Sequence, residues 1–247
     1  MRSAVMLVGI VGLVGCGRLG FDDTSTDAGS DASSDALART PCPPRPGQLF
    51  CDSFEGTSLL TTVDMTSPGF IEFDPTRSFG GAESLHALTT TTSTPSWRLG
   101  SGLPDIASGP LYARWWLYVP SSVTTVNIAS THLVEPVFPF YGVVVGIQNN
   151  RIELSANGAT EMVLSPLTMP RDRWACFQLH IEVADDAGSI ETWLDGELAA
   201  RITDVDTLPS APYRNVHTGI FSTGVADETQ EAWTDELAIG TQPIDCD

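Results

Sequence analysis

The segment Leu-Tyr-Ala-Arg-Trp-Trp-Leu-Tyr-Val at residues 111–119 decides the fold class. Successive side chains of a β-strand point to opposite faces of the sheet. One face of this segment is apolar and carries Leu111, Ala113, Trp115, Leu117 and Val119. The other face carries Tyr112, Arg114, Trp116 and Tyr118. The pattern predicts a strand that is buried on one side and aromatic on the other.

The segment from Ala175 to Val183 alternates in the same way. Its core face carries Phe177, Leu179, Ile181 and Val183. Its opposite face carries Cys176, Gln178, His180 and Glu182. Gln178 and His180 are therefore expected to point in the same direction.

Other short runs of β-branched and aromatic residues, separated by Gly, Pro, Asn or Asp, predict more strands and no helix. Asn149-Asn150 and Asp195-Gly196 each join two runs and are typical of tight hairpin turns. One β-sandwich accommodates residues 47–247, so we expect a single all-β domain with two antiparallel sheets. The other predicted strands are Leu49 to Phe54, Phe70 to Phe73, Ser84 to Leu88, Ser96 to Leu99, Asn127 to Leu133, Tyr141 to Gln148, Arg151 to Ala156, Glu161 to Leu164, Ser189 to Leu194, Glu197 to Ile202, His217 to Ser222 and Glu231 to Ile239.

Residues 1–15 have the pattern of a signal peptide, with Arg2 followed by an apolar run from Ala4 to Val14. That run is shorter than the ~20 residues of a membrane span. The sequence Leu13-Val14-Gly15-Cys16 resembles the site at which bacterial lipoproteins are cut and lipidated. We therefore expect a lipid on Cys16, and Gly17 in place of an aspartate favours the outer membrane or cell surface.

Residues 16–46 are rich in Asp, Ser, Thr, Ala and Pro. Such a segment buries too little apolar surface to offset the entropy of ordering it, so we expect a disordered tether. The formal net charge of the chain is −19, with 12 Lys and Arg against 31 Asp and Glu. This balance argues against a nucleic-acid partner, because phosphate contacts need clustered cations.

Four cysteines remain after Cys16: Cys42, Cys51, Cys176 and Cys246. An even number in an exported chain favours two disulfides over a metal site or a catalytic thiol. Four cysteines allow three pairings, and the sequence does not choose among them. The preferred hypothesis pairs Cys42 with Cys246, which ties the ends of the domain, and Cys51 with Cys176.

Several segments resemble, in their order, the concanavalin A-like lectin/glucanase jelly roll, a group that includes LamG-like domains. They are Leu-Phe-Cys-Asp-Ser-Phe-Glu-Gly at the start, the segment at 111–119, Phe177-Gln178-Leu179-His180-Ile181, Thr192-Trp193-Leu194-Asp195-Gly196 and the closing Trp233-Thr234-Asp235-Glu236-Leu237-Ala238-Ile239. The resemblance implies two face-to-face sheets, with the first and last strands adjacent in the convex sheet. It implies that ligands bind on the concave sheet.

The aromatic face is the predicted ligand-binding site, with Tyr112, Arg114, Trp116, Tyr118, Gln178 and His180. Flat aromatic rings stack on sugar rings, and arginine presents a planar fork of donors. The alternative is that loops cover these aromatics and make them a second layer of core.

Gln-x-His on a concave strand also resembles an element of the alginate lyases. The resemblance implies that Gln178 and His180 would act with Arg114 and with Tyr118 or Tyr141 on a uronic acid. A further strand motif of those lyases is missing, as is the Glu-x-Asp-x-x-Glu motif of laminarinase-type glucanases.

Calcium is the one cofactor that the resemblance suggests, because many jelly rolls of this class bind it with oxygen ligands. The expected ligands are Asp52, Glu55 and Asp235, near the meeting of the first and last strands. Together these features predict a surface-anchored, non-catalytic protein that binds a glycan. The alternatives are a polysaccharide lyase acting on uronic-acid glycans and an adhesion domain that binds protein.

Overall fold

The computed structural model describes residues 42–65, 69–90, 96–100, 102–134, 142–156, 161–207, 211–220 and 228–246. Its regular structure within those ranges is antiparallel β-sheet, with no helix that could cross a membrane. The strands are β1 Gln48–Asp52, β2 Thr62–Met65, β3 Phe70–Asp74, β4 Ser84–Thr89, β5 Ser96–Gly100, β6 Gly109–Tyr118, β7 Ile128–Val134, β8 Gly142–Gln148, β9 Arg151–Ala156, β10 Glu161–Thr168, β11 Trp174–Val183, β12 Gly188–Leu194, β13 Glu197–Val205, β14 Asn215–Ile220 and β15 Gln230–Gly240.

The strands form two sheets. Sheet I has the order β13-β12-β11-β6-β15-β4-β3, and β1 pairs with the second half of β15. Sheet II has the order β10-β9-β8-β7-β14-β5-β2. The first and last strands are thus neighbours, and the all-β, two-sheet antiparallel jelly roll expected from the sequence is confirmed.

The core lies between the sheets and is built from the apolar faces of the alternating strands. Trp115 of β6 and Phe177 of β11 stack there with ring centroids 5.3 Å apart. Sheet II contributes Val145, Ile147 and Leu154, which are completely or almost completely buried. Full burial of one such aliphatic or aromatic side chain stabilises the fold by roughly 1.5–3 kcal/mol, so the alternation provides the main driving force for folding.

Both predicted hairpins are present, since β8 pairs with β9 and β12 with β13. Asn149, Asn150, Asp195 and Gly196 all have positive φ angles. Two consecutive residues of this kind are what a two-residue turn requires between twisted strands.

One strand escapes prediction from the sequence. β2, with the sequence Thr-Val-Asp-Met, is short and lies at the edge of sheet II, where it pairs with β5. Thr62, Val63 and Met65 are exposed, so the described side chains of this strand do not show the burial that marks the other strands.

Both disulfides form, but the preferred pairing was wrong. Cys42 bonds to Cys51 and Cys176 bonds to Cys246. Cys176 lies on the outer face of β11, and the chain after β15 crosses that face and brings Cys246 to it. Cys51 then pairs with Cys42, which is 9 positions away in the sequence.

Candidate functional site

The six residues predicted to bind ligand share the outer face of sheet I. Strand register sets Gln178 opposite Arg114 and His180 opposite Tyr112 on β11 and β6. Cys176 lies opposite Trp116 in the next position of the same strands. The prediction that these side chains share one face is therefore correct. They differ in how far each is exposed to a ligand.

Arg114 is not available to a ligand. It is 1% exposed, and its Nη1 donates to Oε2 of Glu236 at 2.8 Å. Burial lowers the pKa of Arg114, and the hydrogen bond and charge of Glu236 oppose that shift. The guanidinium is thus a buried, paired charge that belongs to the packing of β6 against β15.

Residues 75–83, the covering loop, lie over Trp116 and Tyr118. Phe79 stacks on Trp116 with ring centroids 3.6 Å apart. The guanidinium of Arg77 lies 3.8 Å from the ring centroid of Tyr118. For these two aromatics, the alternative of a second core layer is the one that the structure supports.

Asp235 holds the covering loop in place. Its Oδ2 accepts hydrogen bonds from the backbone N–H groups of Phe79 at 2.7 Å and Gly80 at 3.1 Å. Burial raises the pKa of Asp235 to about 8, although these backbone donors favour the charged form. The carboxylate therefore has a structural role at the centre of this face.

Tyr112, Gln178 and His180 remain half-buried beside the covered centre. Gln178 Nε2 donates to the carbonyl oxygen of Ile244 at 2.9 Å, and the His180 ring stacks on Tyr112. The lyase set predicted from the sequence is not brought together, because Arg114 and Tyr118 are sealed from the open part of the face. Tyr141 and Cys16 lie outside the described residues.

The predicted calcium ligands do not form a ligand set in the structure. Asp52 accepts hydrogen bonds from Ser58 Oγ and from the backbone N–H groups of Phe54 and Leu59. Glu55 accepts from the N–H of Ala82, and Asp235 from the covering loop. Each carboxylate already serves to fix a turn, so these residues do not fit the metal, and calcium stays a prediction from the resemblance alone. Among the described residues, the carboxylates close enough to share an ion are Asp185, Asp186 and Asp206.

The position of β11 also bears on the residues of the lyase hypothesis. β11 lies in sheet I together with β1 and β15, the first and last strands. The resemblance assigns ligands to the sheet that does not contain the first and last strands. Gln178 and His180 lie on the other sheet, so their lyase roles stay a prediction, and the resemblance points instead to the outer face of sheet II.

The outer face of sheet II carries an indole and imidazole cluster, Trp97 on β5 and His217 on β14. Their rings meet edge-to-face with centroids 4.1 Å apart, and they are 5% and 2% exposed. The strand register places His132 of β7 directly opposite His217. Val144 and Ser155 follow in the same row on β8 and β9.

The row beside it combines a carboxylate with glycine. Glu153 of β9 lies opposite Gly146 of β8, and burial raises the pKa of Glu153. Gly142 and Gly146 take outward positions on β8 and are themselves buried, whereas Val144 and Glu153 are half-buried. The β7 register shifts between Ala129 and Thr131, and such bulges are frequent beside functional sites.

Trp97, His217 and Glu153 were missed as site residues by sequence reasoning, although their strands were predicted. The signal was present in Asn-Val-His-Thr-Gly at residues 215–219, where His217 alternates with apolar positions. Alternation shows which side chains share a face of one strand. It does not show which strands are neighbours, and so it could not bring His132 to His217.

No protein-family description and no curated protein matches the chain. Solved structures do resemble it. They include endo-β-1,4-glucuronan lyase from the fungus Trichoderma reesei, with a TM-score of 0.63 and 17% identity over 79% of this chain and 96% of that chain. Cellulose induced protein Cip1 has a TM-score of 0.60 and 18% identity over 80% and 100%. Alginate lyase vAL-1 from Chlorella virus has a TM-score of 0.51 and 10% identity over 77% and 91%. At these identities the similarity establishes the fold alone, an antiparallel two-sheet jelly roll.

Proposed function

We propose that this protein binds a polysaccharide outside the cell, and that the polymer lies across the outer face of sheet II. The ligand contacts the half-buried side chains of Val144 on β8 and Glu153 on β9. Trp97 and His217, which are 5% and 2% exposed, form the buried part of the same face. The names of two similar structures, a glucuronan lyase and an alginate lyase, make an acidic glycan the first ligand to test.

The observation that carries this proposal is the contrast between the two outer faces. The centre of sheet I is closed by the covering loop, which stacks Phe79 on Trp116 and hydrogen-bonds to Asp235. On sheet II, Val144 and Glu153 remain half-buried on the same outer face as the Trp97 and His217 cluster. Apolar and polar side chains in one surface match the apolar and hydrogen-bonding surfaces that a sugar presents.

The test is retention of the full-length chain on a panel of neutral and uronic polysaccharides. Trp97→Leu and Glu153→Ala should each weaken retention, with Trp116→Leu as the matched control on the closed face. Equal retention by Trp97→Leu, Glu153→Ala and Trp116→Leu would overturn the assignment to sheet II. Circular dichroism of each variant separates loss of the site from loss of the fold.

A second candidate function, cleavage of a uronic-acid polymer by β-elimination, is favoured by one observation. His132 and His217 occupy directly opposite positions on neighbouring strands of sheet II. In such a reaction a base removes the proton beside the uronic carboxylate, the electron pair of that C–H bond forms a C=C bond, and the glycosidic C–O bond breaks. The departing oxygen takes up a proton from water and leaves as a hydroxyl. Neutral imidazole is a suitable base near neutral pH.

Absorbance of the unsaturated product distinguishes cleavage from binding. If cleavage occurs, His217→Gln should abolish product formation, whereas His86→Gln should not, because His86 lies on the closed face of sheet I between Trp233 and Glu231. Retention without product on every uronic polymer would leave binding as the function.

We also propose that the domain is held on the bacterial surface by a lipid on Cys16. The support is the sequence pattern ahead of that cysteine and the tether-like composition of residues 17–46. Metabolic labelling with a radioactive fatty acid should mark the wild-type chain and leave Cys16→Ser unlabelled. A labelled Cys16→Ser variant would disprove this anchor.

A further inference from the structure

The C-terminal segment, residues 241–246, lies on the outer face of sheet I and is fixed there at two points. Cys246 is bonded to Cys176 of β11, and the carbonyl oxygen of Ile244 accepts from Gln178 Nε2. Ile244 is itself buried. The space between this segment and the strands beneath it is therefore a fixed feature of the domain.

A cavity of about 250 Å³, the tail pocket, occupies that space. It lies beyond the edge of the region that the covering loop seals. Its volume falls below the roughly 300–1,000 Å³ of sites for drug-sized ligands, so it has room for one ring and not for a polymer. Its lining includes Tyr112, Gln178, Trp193, Gly196, Pro243 and Ile244.

The aromatic walls of the tail pocket are held in position by their neighbours. Tyr112 stacks on His180 with ring centroids 4.5 Å apart and planes inclined by 9°. His180 is in turn held by Glu191, 3.4 Å from its Nδ1. Trp193 is half-buried on β12, beside β11. A ring that is already oriented loses little freedom when a ligand stacks on it.

None of the described residues that line the tail pocket is charged. The charged groups beside His180 are paired with one another, because Glu191 also forms a short ion pair with Arg201. An ionised ligand would lose its water here without gaining a partner, which is costly. The lining therefore favours a neutral ligand with an apolar face and a few polar groups.

We infer that the tail pocket binds one neutral pyranose ring, stacked between Tyr112 and Trp193 under Pro243 and Ile244. This site is separate from the proposed polysaccharide face, since it lies on the other sheet. The Oε1 of Gln178 supplies the polar contact, since its Nε2 already donates to Ile244, and the disulfide between Cys176 and Cys246 holds the roof in place.

The test is calorimetric titration of the full-length chain with neutral trisaccharides built from glucose, xylose or mannose. Trp193→Leu keeps an apolar side chain and removes the aromatic surface, so the affinity should fall about tenfold, in line with ~1.4 kcal/mol for one stacking contact. Trp193→Phe should retain most of the affinity. Leu198→Ala is the matched control, because Leu198 is the exposed cross-strand partner of Trp193.

Two results would overturn the inference: no binding of any neutral trisaccharide by the wild-type chain, or binding that Trp193→Leu leaves unchanged. Its failure is distinguishable from failure of the proposed function. Trp97→Leu should weaken retention on the polysaccharide and leave trisaccharide binding intact, whereas Trp193→Leu should do the reverse.

Discussion

At the scale of single residues, the ion pair between Arg114 and Glu236 places two opposite charges where neither is hydrated. Glu236→Gln should lower the free energy of unfolding by about 3–5 kcal/mol, because it leaves the guanidinium buried without its partner. The double variant Arg114→Met, Glu236→Met should be more stable than Glu236→Gln, since no uncompensated arginine remains. Urea unfolding of each variant measures both effects.

The control for this ion pair is Arg214→Gln. Arg214 forms a similar short pair with Asp105, but both side chains are about half exposed. Water and salt screen such a pair, so this variant should unfold at the same urea concentration as the wild type. Equal losses in Glu236→Gln and Arg214→Gln would contradict the distinction.

Asp235 predicts a pH dependence of stability. Its pKa rises from 3.8 to about 8 on folding, chiefly through burial. Between those values the folded protein holds a proton that the unfolded chain has released, so the free energy of unfolding falls as the pH rises towards 8. Below the lower value, both states are protonated and the contribution is fully present.

The measurement is urea unfolding at a series of pH values for the wild type and for Asp235→Asn. The asparagine cannot ionise, so the decline between about pH 4 and about pH 8 should be smaller in that variant. Parallel curves for the two proteins would show that Asp235 does not titrate in this range.

At the scale of strands, Gly219 of β14 lies where no larger residue fits. A Cβ atom at this position would approach the Ser96 carbonyl oxygen to 2.5 Å and Trp97 Cα to 2.8 Å, and φ is +121°. Gly219→Ala should therefore destabilise the fold by about 3 kcal/mol and displace β5 with Trp97.

Gly196→Ala is the matched control for Gly219→Ala. Gly196 also has a positive φ, +81°, but a Cβ there meets nothing within 4 Å. Only the backbone cost remains, about 1 kcal/mol. Thermal unfolding compares the two variants, and similar losses would mean that crowding at β5 is unimportant.

Strands were predictable from the sequence where burial imposes alternation. β6 and β11 were placed within two residues of their observed ends, and their core faces were assigned correctly. β2 was missed because its pairing to β5 depends on backbone hydrogen bonds, which leave no trace in side-chain pattern. The burial and pairing of Arg114 could not be predicted from the sequence either, because its partner Glu236 is 122 residues away in the chain.

The candidate site was harder to predict than the fold. The aromatic face of β6 was identified correctly as a shared surface, but the residues that cover it come from the loop at 75–83. Deciding between the two sheets required the strand order, which places β11 beside β6 and β14 beside β7. The sequence pattern shows which side chains share a face of one strand. Which strands pair with one another depends on contacts between distant parts of the chain.

At the scale of the whole molecule, the two disulfides should contribute unequally. Cys176 and Cys246 are separated by 70 residues, and Cys42 and Cys51 by 9. Chain entropy alone assigns about 4 kcal/mol to the longer loop and about 2.5 kcal/mol to the shorter one. The pair Cys176→Ser, Cys246→Ser should therefore lower the unfolding temperature more than Cys42→Ser, Cys51→Ser.

Differential scanning calorimetry of both double variants checks this ranking. The longer disulfide also fixes the roof of the tail pocket, so its removal should weaken trisaccharide binding while the shorter one leaves it unchanged. A larger loss of stability from Cys42→Ser, Cys51→Ser would contradict the entropic account.

The bond between Cys42 and Cys51 also determines how the domain responds to tension. A pull on the chain ahead of Cys42 passes through the disulfide directly to Cys51, so the eight residues between the two cysteines carry no load. The force enters β1 at the point where Cys51 is paired with Ala238 of β15. From there it spreads through backbone hydrogen bonds into the centre of sheet I, where β15 has neighbours on both sides.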